Sequence, residues 1–211
     1  VPAPLFVDPA TGLNDDLNGV ERPVEFVIKE TGVKAQIVQS LAKWKRMALH
    51  KYGFSAGEGL YTDMHAVRRD EYTDNLHSIF VDQWDWEKVI TREDRTVNFL
   101  KETVKSIVDA VCDAADELMK IYPALELRLS RDVKFITTQE LEDIYPTLSP
   151  KEREDEYLKE AKTAFIMQIG DTLKSGIKHD GRAHDYDDWA LNGDIVFYND
   201  VLDCAYEISS M

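Results

Sequence analysis

The sequence predicts an α+β protein, with helices packed outside a mainly antiparallel sheet. Several runs have the residue alternation or β-branched and aromatic content of strands, and other stretches have apolar residues at helical spacing behind a capping residue. Strict alternation of strands and helices would predict a parallel sheet, and this sequence does not have it.

The N-terminal third combines a predicted hairpin with a predicted helix. Residues 24–38, "VEFVIKETGVKAQIV", are two strand-like runs around a Thr-Gly turn. In "SLAKWKR", Ser40 is a candidate N-cap, and Gly53 is a candidate stop. We expect Lys45 and Arg46 on the surface of this helix. Its predicted apolar stripe consists of Leu41, Trp44, Met47 and Ala48.

An aromatic strand with polar residues at its centre follows, "HSIFVDQWDWEKVI". We expect it to pair antiparallel with the preceding strand, within "FSAGEGLYTDMHAVRRDE". Side chains on a strand alternate between faces, so Gln83 and Asp85 share one face, while Trp84 and Trp86 share the other with Phe80. We expect the aromatic face to be packed. The polar face needs internal partners or a ligand, because an unpaired buried polar group costs about 1–3 kcal/mol.

The second half begins with a long amphipathic helix over residues 96–122, which we expect to cover the sheet. A short strand, "VKFI", precedes two helices with capping-box spacing, the first at Thr137 and Glu140 and the second at Ser149 and Glu152. Three more strands are predicted in "AFIMQI", "DIVFYN" and "LDCAYEI".

Composition limits the classes of function. The chain has 211 residues and a formal net charge of −15, which disfavours nucleic acid and anionic membranes as partners. No apolar run is long enough for a membrane span, and the start "VPAPLFVD" has no signal-peptide pattern. Cys112 and Cys204 lack metal-ligand spacing and predict buried thiols, so a cytoplasmic location is expected.

Two charged segments are candidate sites that also have structural explanations. The segment "HDGRAHDYDDW" gathers Asp180, Asp185, Asp187 and Asp188, which need a cation, a basic residue or water, and such a cluster is more often a solvated loop. His179 and His184 do not have zinc-site spacing. The basic "SLAKWKR" could bind an anion at a helix N-terminus or form a solvated basic face.

The strings "SLAKWKR", "FSAGEGLYTDM", "HSIFVDQWDWE", "DYDDW", "LNGDI" and "YEISSM" occur in an order that closely resembles the ammonia-dependent, A-type asparagine synthetases, the aspartate–ammonia ligases. That family is related to class II aminoacyl-tRNA synthetases. The resemblance implies a class II synthetase-like core, with a mainly antiparallel sheet of six to eight strands flanked by helices, in a homodimer.

The resemblance also implies an activity. Such enzymes convert L-aspartate and ammonia to L-asparagine with ATP and Mg²⁺, through β-aspartyl-AMP, and release AMP and pyrophosphate. Two alternatives stay open: the catalytic core of an aspartyl- or asparaginyl-tRNA synthetase, and a non-catalytic module that senses an amino acid. The non-catalytic alternative is disfavoured because the expected site residues are present, namely Lys45, Arg68, Gln83 and Asp194. The synthetase alternative is disfavoured because the negative net charge would repel tRNA.

Site residues carried over from the resemblance fall into three groups. The expected catalytic residues are Lys45, Arg68 and Asp194, with Arg68 bridging the ATP α-phosphate and the substrate carboxylate. The magnesium ligands would be Asp194 and Glu207, and the nucleotide contacts would be Arg68, Ser78 and Ile208. Asp15 would bind the α-ammonium group. The expected aspartate pocket consists of Asp15, Ser40, Lys45, Arg68, Gln83, Asp85, Asp187 and Ser210.

The chain departs from the family pattern in three places. We expect a single synthetase-like catalytic domain over residues 1–211 that is incomplete at both ends, because the family's N-terminal helix and its motif 3 arginine are not in this sequence. We also expect that a loop is missing near residues 189–191, within "DDWALNGD".

Overall fold

The computed structural model describes residues 1–74, 76–125, 127 and 129–211. By its internal contacts the chain divides into two units, unit 1 from Val1–Arg92 and Arg182–Asp187, and unit 2 from Glu93–Gly181 and Asp188–Met211. Each unit contains both strands and helices.

Unit 1 begins with a small sheet that contains the predicted hairpin. Strands β1 (Phe6–Val7), β2 (Glu25–Val27) and β3 (Lys34–Ile37) pair antiparallel in the order β1-β3-β2. Gly32 occupies the turn with φ +69°, a left-handed conformation that favours glycine. The hairpin prediction is therefore confirmed.

The second part of unit 1 is a helix followed by a long antiparallel pair. Helix α1 is Ala42–Lys51, and strands β4 (Gly59–Val67) and β5 (Phe80–Lys88) pair along their full lengths, as predicted. Gly53 follows α1 with φ +71° and ends the helix as expected. Leu41 and Met64 are fully buried in a common cluster, which packs the start of α1 on β4.

The buried stripe of α1 differs from the predicted one. The predicted position Met47 is 37% exposed, whereas Lys45 is 1% exposed. Residues i, i+3 and i+7 share one helix face, so Lys45 lies in register with buried Ala42 and Leu49. The prediction of a surface position for Lys45 was wrong, because β5 supplies a carboxylate that accepts its charge.

The aromatic face of β5 is open, contrary to the expectation that it is packed. Trp84 is 85% exposed, Phe80 is 55% exposed and Trp86 is 39% exposed. The covered face of the β4–β5 pair is the opposite one, where Leu60 packs with residues of α1. The full cost of removing a buried tryptophan, about 3–5 kcal/mol, therefore does not apply to Trp86.

Unit 2 contains the long helix, two short helices and a four-stranded sheet, close to the predicted positions. Its sheet order is β6-β7-β8-β9. The elements in chain order are α2 (Val97–Ile121), β6 (Lys134–Thr137), α3 (Thr138–Ile144), α4 (Pro150–Ala161), β7 (Thr163–Met167), β8 (Gly193–Asn199) and β9 (Cys204–Ser210).

Helices cover the four-stranded sheet on both faces. On one face, Val104 and Val108 of α2 pack against Phe165 and Phe197. On the other face, the short helices contribute Leu141 and Leu158 to a separate cluster. The long helix therefore covers the sheet of unit 2, as expected of an amphipathic helix of this length.

The strands form three sheets of three, two and four strands in the described part of the chain, rather than one sheet of six to eight. Strands β6 and β7 are parallel, and the other neighbours in the four-stranded sheet are antiparallel. The parallel pair has a physical cause, since α3 and α4 form a crossover between the two strands.

Both cysteines are free thiols, but they differ in burial. Cys112 on α2 is buried, and burial raises the pKa of its thiol. Cys204 at the start of β9 is half-buried, so the prediction of two buried thiols was correct only for Cys112. Among the described residues, no helix combines the length and apolar character that crossing a membrane requires.

Both predicted capping boxes are present in unit 2. The Thr137 hydroxyl accepts a hydrogen bond from the Glu140 backbone N–H at 3.1 Å, and the Glu140 carboxylate accepts one from the Thr137 N–H at 2.8 Å. Ser149 and Glu152 repeat this arrangement at the start of α4. These bonds satisfy N–H groups that a helix start leaves without partners.

We predict that Thr137→Ala lowers the free energy of unfolding by about 1 kcal/mol, because the cap is lost. Urea unfolding of the polypeptide at its natural length measures this. The matched control is Thr147→Ala, at an exposed position between α3 and α4, which should change stability by less than about 0.5 kcal/mol. Equal losses for both variants would contradict the capping role.

Candidate active site

A buried ion pair joins α1 to β5 in unit 1. The Lys45 ammonium contacts Oδ1 of Asp85, and the side chains are 1% and 22% exposed. Asp85 is paired across the strands with Thr62, which is itself buried. Asp85, one of the polar residues at the centre of the aromatic strand, thus has an internal partner in Lys45. These two predicted pocket residues neutralise each other's charge.

Asp15 caps α1 from a distant part of the chain. Its Oδ2 accepts a hydrogen bond from the Ala42 N–H at 2.5 Å, and its Oδ1 accepts one from the Lys43 N–H at 3.1 Å. Asp15 is 1% exposed, and its charge lies at the positive end of the helix dipole. A carboxylate has about four acceptor positions, so these two bonds leave capacity for a ligand cation.

The sequence predicted Ser40 as the N-cap of α1, but the structure places Leu41 at that position. The helix begins at Ala42, with Leu41 at the cap position, and the helix N–H groups are bound by Asp15 instead. The Ser40 side chain is hydrogen-bonded to Tyr186. A residue of the predicted pocket therefore contacts an aromatic residue that the sequence analysis did not select.

Tyr186 is the site residue that sequence reasoning missed. Burial, and next the nearby charge of Asp15, raise the pKa of Tyr186 to about 12, so its hydroxyl is protonated at neutral pH. The only available signal was its position inside the acidic string "DYDDW". Periodicity gives no reason to select one residue within a loop.

Arg46 follows the buried Lys45 on α1, but its side chain is half exposed. Its Nη1 donates to the backbone oxygen of Tyr186 at 2.8 Å, and its Nε contacts Glu87 at 3.3 Å. Burial raises the pKa of Glu87, and the positive charges of Arg46 and Lys45 counteract this shift. The basic string "KWKR" is thus divided between a buried ion pair and a more exposed network.

Three more predicted residues of unit 1 lie along β4, β5 and their connection. Arg68 is half-buried after β4, and its Nε donates to the backbone oxygen of Gln39 at 3.4 Å. Ser78 is exposed before β5. Gln83 is exposed, on the same face of β5 as Asp85. Exposed polar groups on this face are accessible to a ligand.

The acidic segment is paired with basic residues rather than only with water. Asp185 contacts Lys43 at 2.5 Å, Asp187 contacts Arg182 at 3.8 Å, and Asp188 contacts Arg95. The interpretation as a solvated loop was therefore wrong for these three carboxylates. No group of three or more potential metal-binding side chains occurs among the residues that the structure describes.

The predicted metal and substrate residues of unit 2 share one face of its sheet because of a bulge. Asp194 pairs with Ser210, and Val196 pairs with Glu207, since the register shifts between Ile195 and Val196. Paired residues point to the same face, and so do residues i and i+2, so Asp194, Glu207 and Ser210 have a common face. Regular alternation would have separated Glu207 from Ser210.

Ile208 points to the opposite face of the same strand. Its side chain packs in the cluster under α2, with Phe165 and Ile195. The predicted nucleotide contact of Ile208 is therefore available only to its backbone groups.

Within unit 1, the structure brings together Asp15, Ser40, Lys45 and Asp85 around the start of α1. The segment that carries Asp187 also belongs to this unit. Arg68, Ser78 and Gln83 lie in unit 1 as well, whereas Asp194, Glu207, Ile208 and Ser210 belong to unit 2.

The fold is similar to that of asparaginyl-tRNA synthetase, a class II aminoacyl-tRNA synthetase. The asparaginyl-tRNA synthetase of Entamoeba histolytica, solved in complex with asparaginyl-adenylate, matches with a TM-score of 0.53 and 13% identity, over 93% of this chain and 43% of that chain. A second structure of this synthetase gives a TM-score of 0.54 and 14% identity, over 93% of this chain and 44% of that chain. Identity this low shows the fold alone.

Sequence similarity identifies the family. The family model described as aspartate-ammonia ligase matches residues 1–211. Relatives named aspartate–ammonia ligase are 64% identical in Ruminiclostridium cellulolyticum and 59% identical in Bacillus cytotoxicus and Clostridium tetani, each over 100% of this chain. The chain belongs to the aspartate–ammonia ligase family. It spans 63%, 64% and 62% of the lengths of these three relatives.

Because Lys45 is buried, its loss should affect stability as well as any chemistry. We predict that Lys45→Ala lowers the free energy of unfolding by about 3 kcal/mol, near the low end for buried pairs because Asp85 is partly exposed. The double variant Lys45→Met with Asp85→Leu should recover most of this loss, since no charge remains unpaired.

Chemical unfolding of both variants and of the single Asp85→Leu variant measures the coupling between the two residues. The control is Arg22→Met, which breaks an ion pair with Asp70 at a side chain that is 69% exposed and should lower the free energy of unfolding far less, because water screens exposed pairs. A Lys45→Ala variant as stable as the control would refute the buried pair.

Proposed function

We propose that the protein catalyses the ATP-dependent amidation of L-aspartate by ammonia to L-asparagine. The observation that carries this proposal is the family match over the whole chain, with relatives at 57–64% identity named for this reaction. It favours the ligase over the synthetase core, whose similarity is at the level of fold. The polar cluster of Asp15, Lys45 and Asp85 at the start of α1 supports it over a non-catalytic module.

The proposed chemistry has two steps because a carboxylate is a poor electrophile. A β-carboxylate oxygen of aspartate attacks the α-phosphorus of ATP, and the bond to the bridging oxygen breaks, releasing pyrophosphate. Ammonia then attacks the acyl carbon of β-aspartyl-AMP and loses a proton, and the acyl–oxygen bond breaks, releasing AMP. Each step develops negative charge on oxygen, which fixed cations stabilise.

The residues of unit 1 have proposed roles that follow from charge and access. Lys45 would stabilise the β-carboxylate, and Asp15 would bind the α-ammonium group with its remaining acceptor positions. Arg68 would contact the α-phosphate and the substrate carboxylate, since guanidinium suits both groups. Gln83 and Asp85 would line the pocket floor. Ser40 and Asp187 would complete the pocket, and Ser78 would contact the nucleotide.

The donor set on β8 and β9 fits a magnesium ion. Mg²⁺ prefers oxygen ligands, and Asp194 is half-buried while Glu207 is exposed on the same sheet face. We propose that these two carboxylates hold the ion, which would neutralise charge on the phosphate oxygens. Ser210, paired with Asp194, is proposed to contact substrate, and the Ile208 backbone to contact the nucleotide.

Several features of the whole enzyme belong to the same proposal. We propose a homodimer of single synthetase-like domains in the cytoplasm. The free thiols of Cys112 and Cys204 agree with a reducing compartment.

The direct test supplies the polypeptide at its natural length with aspartate, ATP, magnesium and ammonium. We expect asparagine and AMP in equal amounts, with pyrophosphate. ADP in place of AMP would contradict the adenylate route. The controls are a reaction in which glutamate replaces aspartate and a reaction without magnesium. If the complete reaction produced no asparagine, the proposed function would be overturned.

We predict that Gln83→Leu raises the aspartate KM or lowers kcat while leaving the melting temperature unchanged or higher. The exposed carboxamide contributes little to the fold but would bind the substrate. Steady-state kinetics and thermal melting measure the two effects. Asp82→Leu is the matched control on the exposed, opposite face of β5, and equal kinetic losses in both variants would remove Gln83 from the pocket.

We predict that Asp194→Asn raises the magnesium concentration needed for half of the maximal rate. This increase should be larger, as a factor, than the increase in the dissociation constant for aspartate. The amide keeps the side-chain shape and removes the charge that attracts the cation. Magnesium titrations of the initial rate, beside calorimetric titration with aspartate, separate the two effects. Glu160→Gln, at an exposed position on α4, controls for the loss of one negative charge. An unchanged magnesium titration would exclude Asp194 as a ligand.

A further inference from the structure

The segment Arg182–Asp187 belongs to unit 1, although the residues on both sides of it belong to unit 2. It has no regular secondary structure, so no backbone ladder holds its conformation. Its placement therefore depends on the side chains that contact it. We call it the acidic strap.

Two basic residues of α1 contact consecutive residues of the acidic strap. Lys43 Nζ lies 2.5 Å from Asp185 Oδ2, and both side chains are 24% exposed. The Arg46 guanidinium donates to the Tyr186 backbone oxygen at 2.8 Å and lies 5.6 Å from the centre of its ring. Residues three apart share one side of a helix, so the two contacts form a row along α1.

Arg46 is itself held in place by β5. Its Nε lies 3.3 Å from Oε1 of Glu87, whose side chain is 19% exposed. A guanidinium presents several donors in one plane and can bind a carboxylate and a carbonyl together, which an ammonium cannot do with the same geometry. The strap is therefore attached to the helix and, through Arg46, to the sheet.

The attachment has a consequence at the pocket. Tyr186 is hydrogen-bonded to Ser40 and lies near Asp15, and Asp187 is the next residue along the strap. Ser40, Asp15 and Asp187 are proposed aspartate contacts, so a strap that detaches from α1 displaces one of them and uncovers the other two.

We propose that Lys43 and Arg46 are positioning residues that set the affinity for the amino-acid substrate by holding the acidic strap against α1. This inference rests on the proposed function for the identity of the substrate. The two side chains act through Asp185 and Tyr186, without contacting the substrate. Their loss should raise the aspartate KM while the ATP KM and kcat at saturating aspartate stay nearly constant.

A charge swap tests the attachment in the polypeptide at its natural length. Lys43→Glu and Asp185→Lys each place like charges opposite each other, and each should raise the aspartate KM about tenfold. The double variant restores an attractive pair and should return the KM to within about threefold of the original value. Lys51→Glu, exposed at the other end of α1, controls for the change in net charge.

Arg46 is tested by a graded series. Arg46→Lys keeps the positive charge beside Glu87 but loses the planar donor set, whereas Arg46→Ala loses both. We expect the aspartate KM to rise in the order of wild type, Arg46→Lys and Arg46→Ala, with the ATP KM changed less than about twofold. A parallel rise in both KM values, or a fall in kcat alone, would contradict a positioning role.

A second measurement does not depend on turnover. Backbone hydrogen exchange of residues 182–187 in the enzyme without substrate should be faster in both single charge variants and restored in the double variant. Unchanged exchange in the single variants overturns the inference, as does a double variant that recovers neither exchange nor KM. A wild-type enzyme that makes no asparagine overturns the proposed function, while the exchange experiment still decides the attachment.

Discussion

The ion pair between Lys45 and Asp85 is the constraint on which the organisation of unit 1 depends. An ammonium that is 1% exposed requires a compensating charge, since an unpaired buried charge costs several kcal/mol. This requirement fixes α1 against β5 at one rotation of the helix and one register of the strand. It also accounts for the aspartate within an otherwise aromatic strand. Glu87, two residues further on, is paired with Arg46 in the same way, whereas Asp82 and Gln83 are exposed and have no comparable requirement.

Around this pair, groups that stabilise the fold are also the groups proposed to bind substrate. Asp15 satisfies the first N–H groups of α1, and its charge is one cause of the raised pKa of Tyr186. Such shared use leaves little freedom for substitution, because removing a carboxylate would release a helix end as well as a ligand contact. The hydrogen bonds to α1 also hold the Asp15 carboxylate in one orientation before any ligand binds.

In unit 2, acidic residues lie on a sheet whose two faces pack against helices. The register shift near Val196 turns Glu207 to the face of Asp194 and leaves Ile208 on the face under α2. A bulge achieves this with one unpaired residue, at the cost of a local break in the ladder. Glu207 is exposed and Asp194 is half-buried, while the neighbouring apolar side chains stay in the core.

The sequence alone determined the elements that depend on local interactions. The hairpin at Gly32, the end of α1 before Gly53, the long helix α2 and both capping boxes were predicted from turn chemistry, periodicity and cap spacing. The motifs also indicated the family. These features were accessible because each arises from hydrogen bonds or side-chain spacing within a few residues. Only the tertiary structure decided the buried side of α1, the exposure of Trp84, the remote cap by Asp15, the bulge at β8 and β9, and the role of Tyr186. Each of these depends on which residue, tens of positions away in the chain, supplies a compensating charge or covers a face, and local periodicity contains no information about that partner.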